Sequence, residues 1–321
     1  MNRKNIWGWV FALVLGLTAI LPASVTNAAE AEGQRDFRLL TYNVYMLSHH
    51  LYPRWGQTKR AELIQEADFI QQNDLIILNE AFDNPASKKL MNGLSDRYPH
   101  QTPVLGRSKK GWDQTRGHYS TTTPEDGGVA VVSKYPITEK IQHVYKNGCG
   151  ADWFSNKGFV YVKVKRGNQF FHVIGTHMQS QDKGCFRGKA ESVRRSQLQE
   201  IRDFIRDKQI PTDEPLFIGG DFNVIKDTDE YRDMLNTLRV DEPRFTGHSS
   251  TWDPVTNSIA GYNYPELPPE FLDYLFVSKD HAPIKGWNNH VWKSKSPKWK
   301  GGRYEYDDYS DHYPVTGSGS F

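Results

Sequence analysis

The amino-acid sequence predicts an α/β or α+β layered domain whose functional groups gather at one edge of its sheets. Short apolar runs of strand length alternate along the chain with stretches of helical periodicity. Several runs stop on a residue with chemistry to offer: Asn43, Glu80, His177, and Asp221 with Asn223. The chain of 321 residues is 37% hydrophobic and 13% aromatic, enough to bury a large core. No internal repeat or low-complexity linker divides it, so a single domain over residues 36–316 is the simplest organisation.

Residues 1–28 read as a secretory signal, with Asn2-Arg3-Lys4 as the basic start, Ile6 to Leu21 as the apolar run and Thr26-Asn27-Ala28-Ala29 as a small-residue exit cleaved between about 28 and 31. A retained anchor is the alternative. Against it, Gly8, Gly16 and Thr18 interrupt a run that falls short of the ~20 residues needed to span a bilayer. Removal takes Arg3 and Lys4 from 40 basic residues and nothing from 38 acidic ones, which leaves a mature formal charge of zero. The basic excess of a nucleic-acid binder is absent. In an exported chain the two cysteines, Cys149 and Cys185, are expected to form a disulfide worth about 3–4 kcal/mol in the chain-entropy account, two free thiols being the alternative.

Asp36 to Val44 reads as a strand that delivers Asn43, and Thr58 to Gln72 as an amphipathic helix with Leu63, Ile64, Ala67 and Ile70 at helical spacing. Leu75 to Asn79 is a buried strand with Glu80 at its tip. Val129 to Ser133, Gly158 to Lys165 and Gln169 to Thr176 follow as strands, the last ending on His177. A helix from about Lys189 to Lys208 leads to Leu216-Phe217-Ile218-Gly219-Gly220-Asp221-Phe222-Asn223. There Gly219 and Gly220 let the backbone turn or approach something bulky, and Asp221 and Asn223 share a face in extended chain. A helix from about Thr228 to Leu238, a strand over Phe271 to Val277 and the closing stretch Tyr309 to Val315 complete the chain.

Taken singly, each of these polar residues has an ordinary reading as a surface carboxylate, a core histidine or a turn residue. Together they make chemical sense. Carboxylate and amide oxygens without a cysteine or histidine cluster suit a hard cation such as Mg²⁺, which binds phosphate oxygens. Two histidines can divide proton transfer between an attacking water and a leaving oxygen. A hard cation with an acid and a base, and no covalent nucleophile, fits phosphate-ester hydrolysis.

Asn43 after the first strand, Glu80 in Leu-Asn-Glu, His177 in Gly-Thr-His-Met, Gly-Gly-Asp-Phe-Asn at 219–223, Asp273 in Leu-Asp-Tyr-Leu-Phe-Val-Ser and Ser-Asp-His-Tyr-Pro at 310–314 resemble, in order, the endonuclease/exonuclease/phosphatase superfamily. The resemblance implies a four-layer α/β sandwich of the DNase I-like type, two packed mixed β-sheets flanked by helices. Tyr-Asn-Val-Tyr-Met-Leu at 42–47, Glu125-Asp126-Gly127-Gly128-Val129 and the Cys149/Cys185 pair narrow the likeness to the secreted bacterial neutral sphingomyelinases. That family implies hydrolysis of membrane sphingomyelin to ceramide and phosphocholine by a monomer without an obligate protein partner. Its roles, carried onto this chain, make Glu80 the principal Mg²⁺ ligand with Asn43 and Asp311 beside it, Mn²⁺ or Co²⁺ being substitutes. His312 becomes the general base, Asp273 its orienter and His177 the aid to the leaving oxygen, while Asp221 and Asn223 hold the phosphate and the histidine network. A second, edge metal position would match Asn84, Glu125 and Asp126. Choline recognition through aromatic faces makes Trp112, Tyr119, Trp153 and Phe154 candidates, with ordinary packing as the alternative.

Between His281 and Tyr304 there is no acidic residue, and Lys285, Lys293, Lys295, Lys298, Lys300 and Arg303 interleave with Trp287, Trp292 and Trp299. Interfacial tryptophan and lysine point to a segment that docks on a bilayer through Trp292 and Trp299. A solvated loop whose tryptophans pack on the core is the second reading, and nucleic-acid contact the third. Haemolytic members of the family are expected to carry an apolar aromatic hairpin here, whereas this segment's only branched aliphatic residues are Ile284 and Val291. The departure separates hydrolysis, which the site residues imply, from haemolysis. A secreted Mg²⁺-dependent nuclease of the same superfamily is the main rival function, disfavoured by the neutral mature charge. An inositol-phosphate phosphatase is disfavoured because Ile218 precedes the glycines and Lys226 ends Val224-Ile225-Lys226. A catalytically silent host-surface binding protein would have no need of both histidines and the acidic set.

Overall fold

The computed structural model describes residues 36–321, and the signal expected over 1–28 lies outside them. The elements run β1 (Phe37–Asn43), α1 (Gln57–Gln65), α2 (Asp68–Gln71), β2 (Leu75–Asn79), α3 (Asn84–Leu94), β3 (His100–Gln101), β4 (Gln114–Gly117), β5 (Ala130–Ser133), β6 (Ile137–Val144), a 3-10 turn (Gly150–Phe154), β7 (Gly158–Arg166), β8 (Gln169–His177) and α4 (Lys189–Lys208). They continue as β9 (Leu216–Asp221), α5 (Asp229–Leu238), β10 (Arg244–Gly247), α6 (Ser258–Asn263), β11 (Asp273–Val277), β12 (Lys285–Val291), β13 (Trp299–Gly301), β14 (Tyr304–Tyr306) and β15 (Val315–Ser320).

One sheet has the order β10-β12-β15-β1-β2-β5-β3 and the other β11-β9-β8-β7-β6-β4, with β13 and β14 as a separate hairpin. Side-chain alternation builds the layers. Along β1, Phe37 and Leu39 enter the large core shared by the two sheets, while Leu40 and Tyr42 enter a second core with Ala61 and Ile64 of α1 and Leu90 and Leu94 of α3. In β2, Leu75 and Ile77 take the first side and Ile76 and Leu78 the second. From the other sheet, Phe171 and Phe217 meet Phe37 at ring separations of 4.8 and 5.0 Å. Phe204 of α4 packs on Phe159 and Tyr161, and Tyr231 of α5 on Tyr274. Helices, sheet, sheet, helices is the expected four-layer sandwich, and both sheets mix parallel and antiparallel pairs.

The single helix expected over Thr58–Gln72 is two. Glu66 caps α1 and Ala67 turns extended at φ −68°, ψ 138°. In an unbroken helix Phe69 would sit about 140° around the axis from Ile64, off the buried face. The break lets Ile64, Phe69 and Ile70 all reach the same core. The strand expected from Phe271 begins at Asp273. Gly219 and Gly220 lie inside β9 and answer to neighbouring strands, not to a turn: a Cβ on Gly220 would fall 1.8 Å from the Thr176 carbonyl oxygen of β8. The expected disulfide joins Cys149 to Cys185. No helix among the described residues is long and apolar enough to cross a membrane.

Candidate active site

Strand direction alone gathers the site. β1 and β2 are parallel with Asn43 opposite Asn79, so Asn43 and Glu80 leave the first sheet at one edge. β8 and β9 are parallel with His177 opposite Asp221, and antiparallel β11 begins at the same level with Asp273 opposite Asp221. β15 runs antiparallel to β1, with Val315 opposite Thr41, which puts Asp311 and His312 at that edge too. Tyr45, Glu80 and Asn223 take left-handed backbone at φ 49°, 57° and 53°, a conformation that costs a non-glycine residue about 1–2 kcal/mol. Met46 N donates to the Glu80 carbonyl at 2.9 Å, and Asn223 N to Asp221 Oδ1 at 3.0 Å, which helps hold two of these turns.

Asn43 is fully buried and ties the sheets together: its Nδ2 donates to Glu80 Oε1 and to Asp221 Oδ2, both at 3.0 Å. Its Oδ1 accepts from Tyr45 N at 3.0 Å, so any ligand role for Asn43 would use the remaining lone pair of that oxygen. His312 Nδ1 lies 2.8 Å from Asp273 Oδ2, and His312 Nε2 lies 3.7 Å from Asp221 Oδ2. His177 Nε2 lies 3.7 Å from the same Asp221 oxygen and 3.7 Å from Glu80 Oε1. Asn223 Nδ2 donates to the Met178 carbonyl at 3.2 Å. Lys157, absent from the sequence reading, belongs to the same cluster. Its Nζ lies 3.2 Å from His177 Nε2, donates to Met178 O at 3.2 Å and pairs with Asp152 Oδ2 at 2.8 Å.

Burial, and then the Lys157 charge, pushes His177 well below its usual range, so it is a neutral imidazole. His312 goes the other way. Burial opposes its charge, but Asp273, Asp221 and Asp311 together hold it well above the ordinary 6.5. Burial, then the Asp273 charge, raises Asp221 to about 6; burial, with a contribution from Glu80, raises Asp311 to about 6. Burial also raises Glu80. Several carboxylates brought together out of water repel one another, and a cation among them relieves this.

The donor set fits such a cation. Oε2 of Glu80 and Oδ1 of Asp273 are buried without a hydrogen-bond partner, and unsatisfied buried carboxylate oxygens are costly. Glu80, His177 and Asp221 bring one ligand atom each to within 4.8 Å of one another, as do Asp221, Asp273 and His312. At the edge position Asn84 is exposed in the first turn of α3, which Asp83 caps by accepting from Ala86 N at 3.0 Å. Asp126 there accepts from Arg107 Nε at 2.8 Å and from Gly128 N at 2.9 Å, contacts that hold it in a turn.

The expected membrane contacts are packed inward. Trp299 is 3% exposed and donates through Nε1 to Asp308 O at 2.9 Å. Trp292 is half-buried and donates to Thr316 Oγ1 at 2.9 Å. The basic segment supplies the strand β12 and the short β13–β14 hairpin, and both indole N–H groups are taken up within the fold.

The endonuclease/exonuclease/phosphatase family pattern matches residues 40–312. A phospholipase C of Staphylococcus aureus is 52% identical, covering 98% of this chain and 97% of the relative. A sphingomyelinase C of Bacillus cereus is 51% identical, covering 98% of each. The crystal structure of a Staphylococcus aureus beta toxin variant with bound magnesium ions superposes with a TM-score of 0.87 at 54% identity, over 89% of this chain and 100% of that one. The chain therefore belongs to the endonuclease/exonuclease/phosphatase family and, within it, to the group of the bacterial sphingomyelinase C and beta-toxin proteins.

Proposed function

We propose that the protein is a secreted, metal-dependent phosphodiesterase that hydrolyses sphingomyelin to ceramide and phosphocholine, with the membrane lipid surface as its partner and no obligate protein subunit. The observation that carries this reading is the placing of two imidazoles about one carboxylate: Nε2 of His177 and Nε2 of His312 each lie 3.7 Å from Asp221 Oδ2. A phosphoryl group seated there would have one nitrogen on the side of the attacking water and one on the side of the leaving oxygen.

In this reading His312 Nε2 takes a proton from water as the water oxygen attacks phosphorus. Asp273, at Nδ1, orients the ring and stabilises the imidazolium that forms. As the bond from phosphorus to the ceramide oxygen breaks, its electron pair goes to that oxygen, which takes up a proton from solvent with His177 and the Lys157 ammonium beside it. Asn43 keeps Glu80 and Asp221 in place across the two sheets, and Asn223 faces the phosphate. Glu80 would be the principal ligand of the cation, with Asp311 and Asn43 beside it. A divalent cation held there would supply positive charge to the phosphate oxygens and offset the carboxylates that raise His312.

A substrate panel tests the reading. Sphingomyelin vesicles, phosphatidylcholine vesicles, plasmid DNA and an inositol phosphate are each incubated with Mg²⁺ and with EDTA. Phosphocholine release from sphingomyelin with Mg²⁺ alone is expected, and Mg²⁺-dependent nicking of DNA without phosphocholine release would select the nuclease instead. Amino-terminal sequencing of protein from the culture medium tests export, the new terminus being expected between about residues 29 and 32.

A further inference from the structure

Beside the catalytic edge lies a second concave site lined by aromatic rings. Tyr52, Arg54, Trp55, Tyr262, Tyr304 and Tyr306 enclose most of a cavity of about 210 Å³ that contains no carboxylate. Its floor is buried: Trp55 and Tyr306 are 8% and 4% exposed, with ring centroids 5.5 Å apart. Its walls are open, Tyr52 being 44% and Tyr262 45% exposed. The rings are not stacked flat against one another. Tyr262 meets Trp55 at 5.7 Å and 76°, and Tyr304 at 4.6 Å and 61°, so faces of different orientation surround the space.

The backbone is shaped to close this site. A Cβ on Gly301 would fall 2.2 Å from the Arg54 carbonyl oxygen, and one on Gly56 would fall 2.8 Å from the Trp299 ring. The β13–β14 hairpin can therefore clasp the 51–55 segment only because glycine stands at both places. Tyr45, two residues from Asn43, packs on Trp55 at 5.6 Å and accepts from Asn263 Nδ2 at 3.1 Å, which joins the cavity floor to the turn that follows Asn43.

From this arrangement we infer that the cavity binds the phosphocholine headgroup of a membrane lipid other than the one being cleaved, and holds the protein on a choline-lipid surface. The inference rests on the lipid-surface reading above but not on turnover. Aromatic faces attract a quaternary ammonium. Arg54 lines the cavity, and Arg303 donates to the Tyr304 hydroxyl at 2.9 Å, so two guanidinium groups stand near the site. They disfavour a bare cation but match a phosphate linked to that cation through two carbons. A primary ammonium is a poor occupant, because its N–H donors would lose water where no carboxylate lines the wall to receive them. The volume suits a headgroup and is below the range of sites for larger ligands, about 300–1,000 Å³.

Co-sedimentation in EDTA, which prevents hydrolysis, tests the site with phosphatidylcholine vesicles and with phosphatidylethanolamine vesicles of the same acyl chains. The protein should bind the choline lipid about tenfold more tightly. Phosphocholine in solution should displace it and phosphoethanolamine should not. Tyr262→Ala/Tyr304→Ala should lose the preference while keeping its thermal unfolding midpoint and its hydrolysis of a monomeric, water-soluble phosphocholine ester. Equal binding of both lipids by the unmodified protein, or a preference unaltered in a folded variant, would overturn the inference. Selection of choline vesicles without any cleavage of sphingomyelin in Mg²⁺ would keep this site and refute the hydrolytic reading; cleavage without selection would do the reverse.

Discussion

Glu80 shows what a single residue carries at this edge. One of its oxygens is held by Asn43 at 3.0 Å and the other is buried without a hydrogen-bond partner, which suits the ligand role proposed for it. Glu80→Gln keeps the shape and removes the charge. It should raise the Mg²⁺ concentration needed for half-maximal activity by at least about tenfold, and an unchanged metal titration would remove Glu80 from the ligand set. Away from the site, His172 is a buried neutral imidazole with Tyr161 at 2.8 Å on Nδ1 and Glu214 at 2.5 Å on Nε2, and burial lowers it from 6.5 to about 4. Because its folded value is depressed, it contributes stability that is whole above pH 6.5 and is lost as pH falls towards about 4, where the unfolded chain takes up a proton first. His172→Gln should flatten urea stability against pH across that window. Most of the catalytic candidates were legible because each ends, begins or adjoins an apolar run. Lys157 was not, since nothing in its sequence neighbourhood reports that β7 and β8 bring its ammonium to His177.

Elements hold these residues through contacts that sequence patterning barely registers. Gly219 and Gly220 invite a phosphate-loop reading, yet they serve strand pairing: Gly220→Ala would drive a Cβ into the Thr176 carbonyl, one residue from His177. It should lower both urea stability and turnover, whereas a true phosphate-turn glycine would affect turnover alone. Arg60, on α1, is wholly buried and donates to the carbonyls of Val44, Tyr45, Trp55 and Tyr309, so one side chain fixes the exit of β1 and the approach to Asp311. Arg60→Met leaves those carbonyls unsatisfied and should cost about 3 kcal/mol or more in a urea titration, with turnover lost in parallel. A lysine or arginine within a helical pattern reads as a solvated face, so this clamp was invisible. The α1–α2 break was equally hidden, because it is the core that requires Phe69 and Ile64 on one side. Helix α3 was not anticipated either, although Asp83 caps it and Pro85 stands in its first turn.

For the molecule as a whole, the alternation of apolar runs specifies layers but not which strands pair. The four-layer sandwich came from resemblance, and the sheet order then explains why residues from both ends of the chain share one edge. The tryptophan-rich basic segment left several readings open for a related reason: composition cannot distinguish an interfacial indole from one that packs, and here Trp287, Trp292 and Trp299 all donate inward. Surface engagement passes in this account to the open aromatic rings beside the site. The proposed hydrolysis of sphingomyelin depends on His312 and a hard cation together. It is tested most directly by phosphocholine release from sphingomyelin vesicles by the unmodified protein and by folded His312→Ala, each with EDTA and then with Mg²⁺ restored. Release is expected only with Mg²⁺, with a rate reduced by about 10²-fold to 10⁴-fold or more in the variant. Release that persists in EDTA, or a variant that turns over at the unmodified rate, would contradict it.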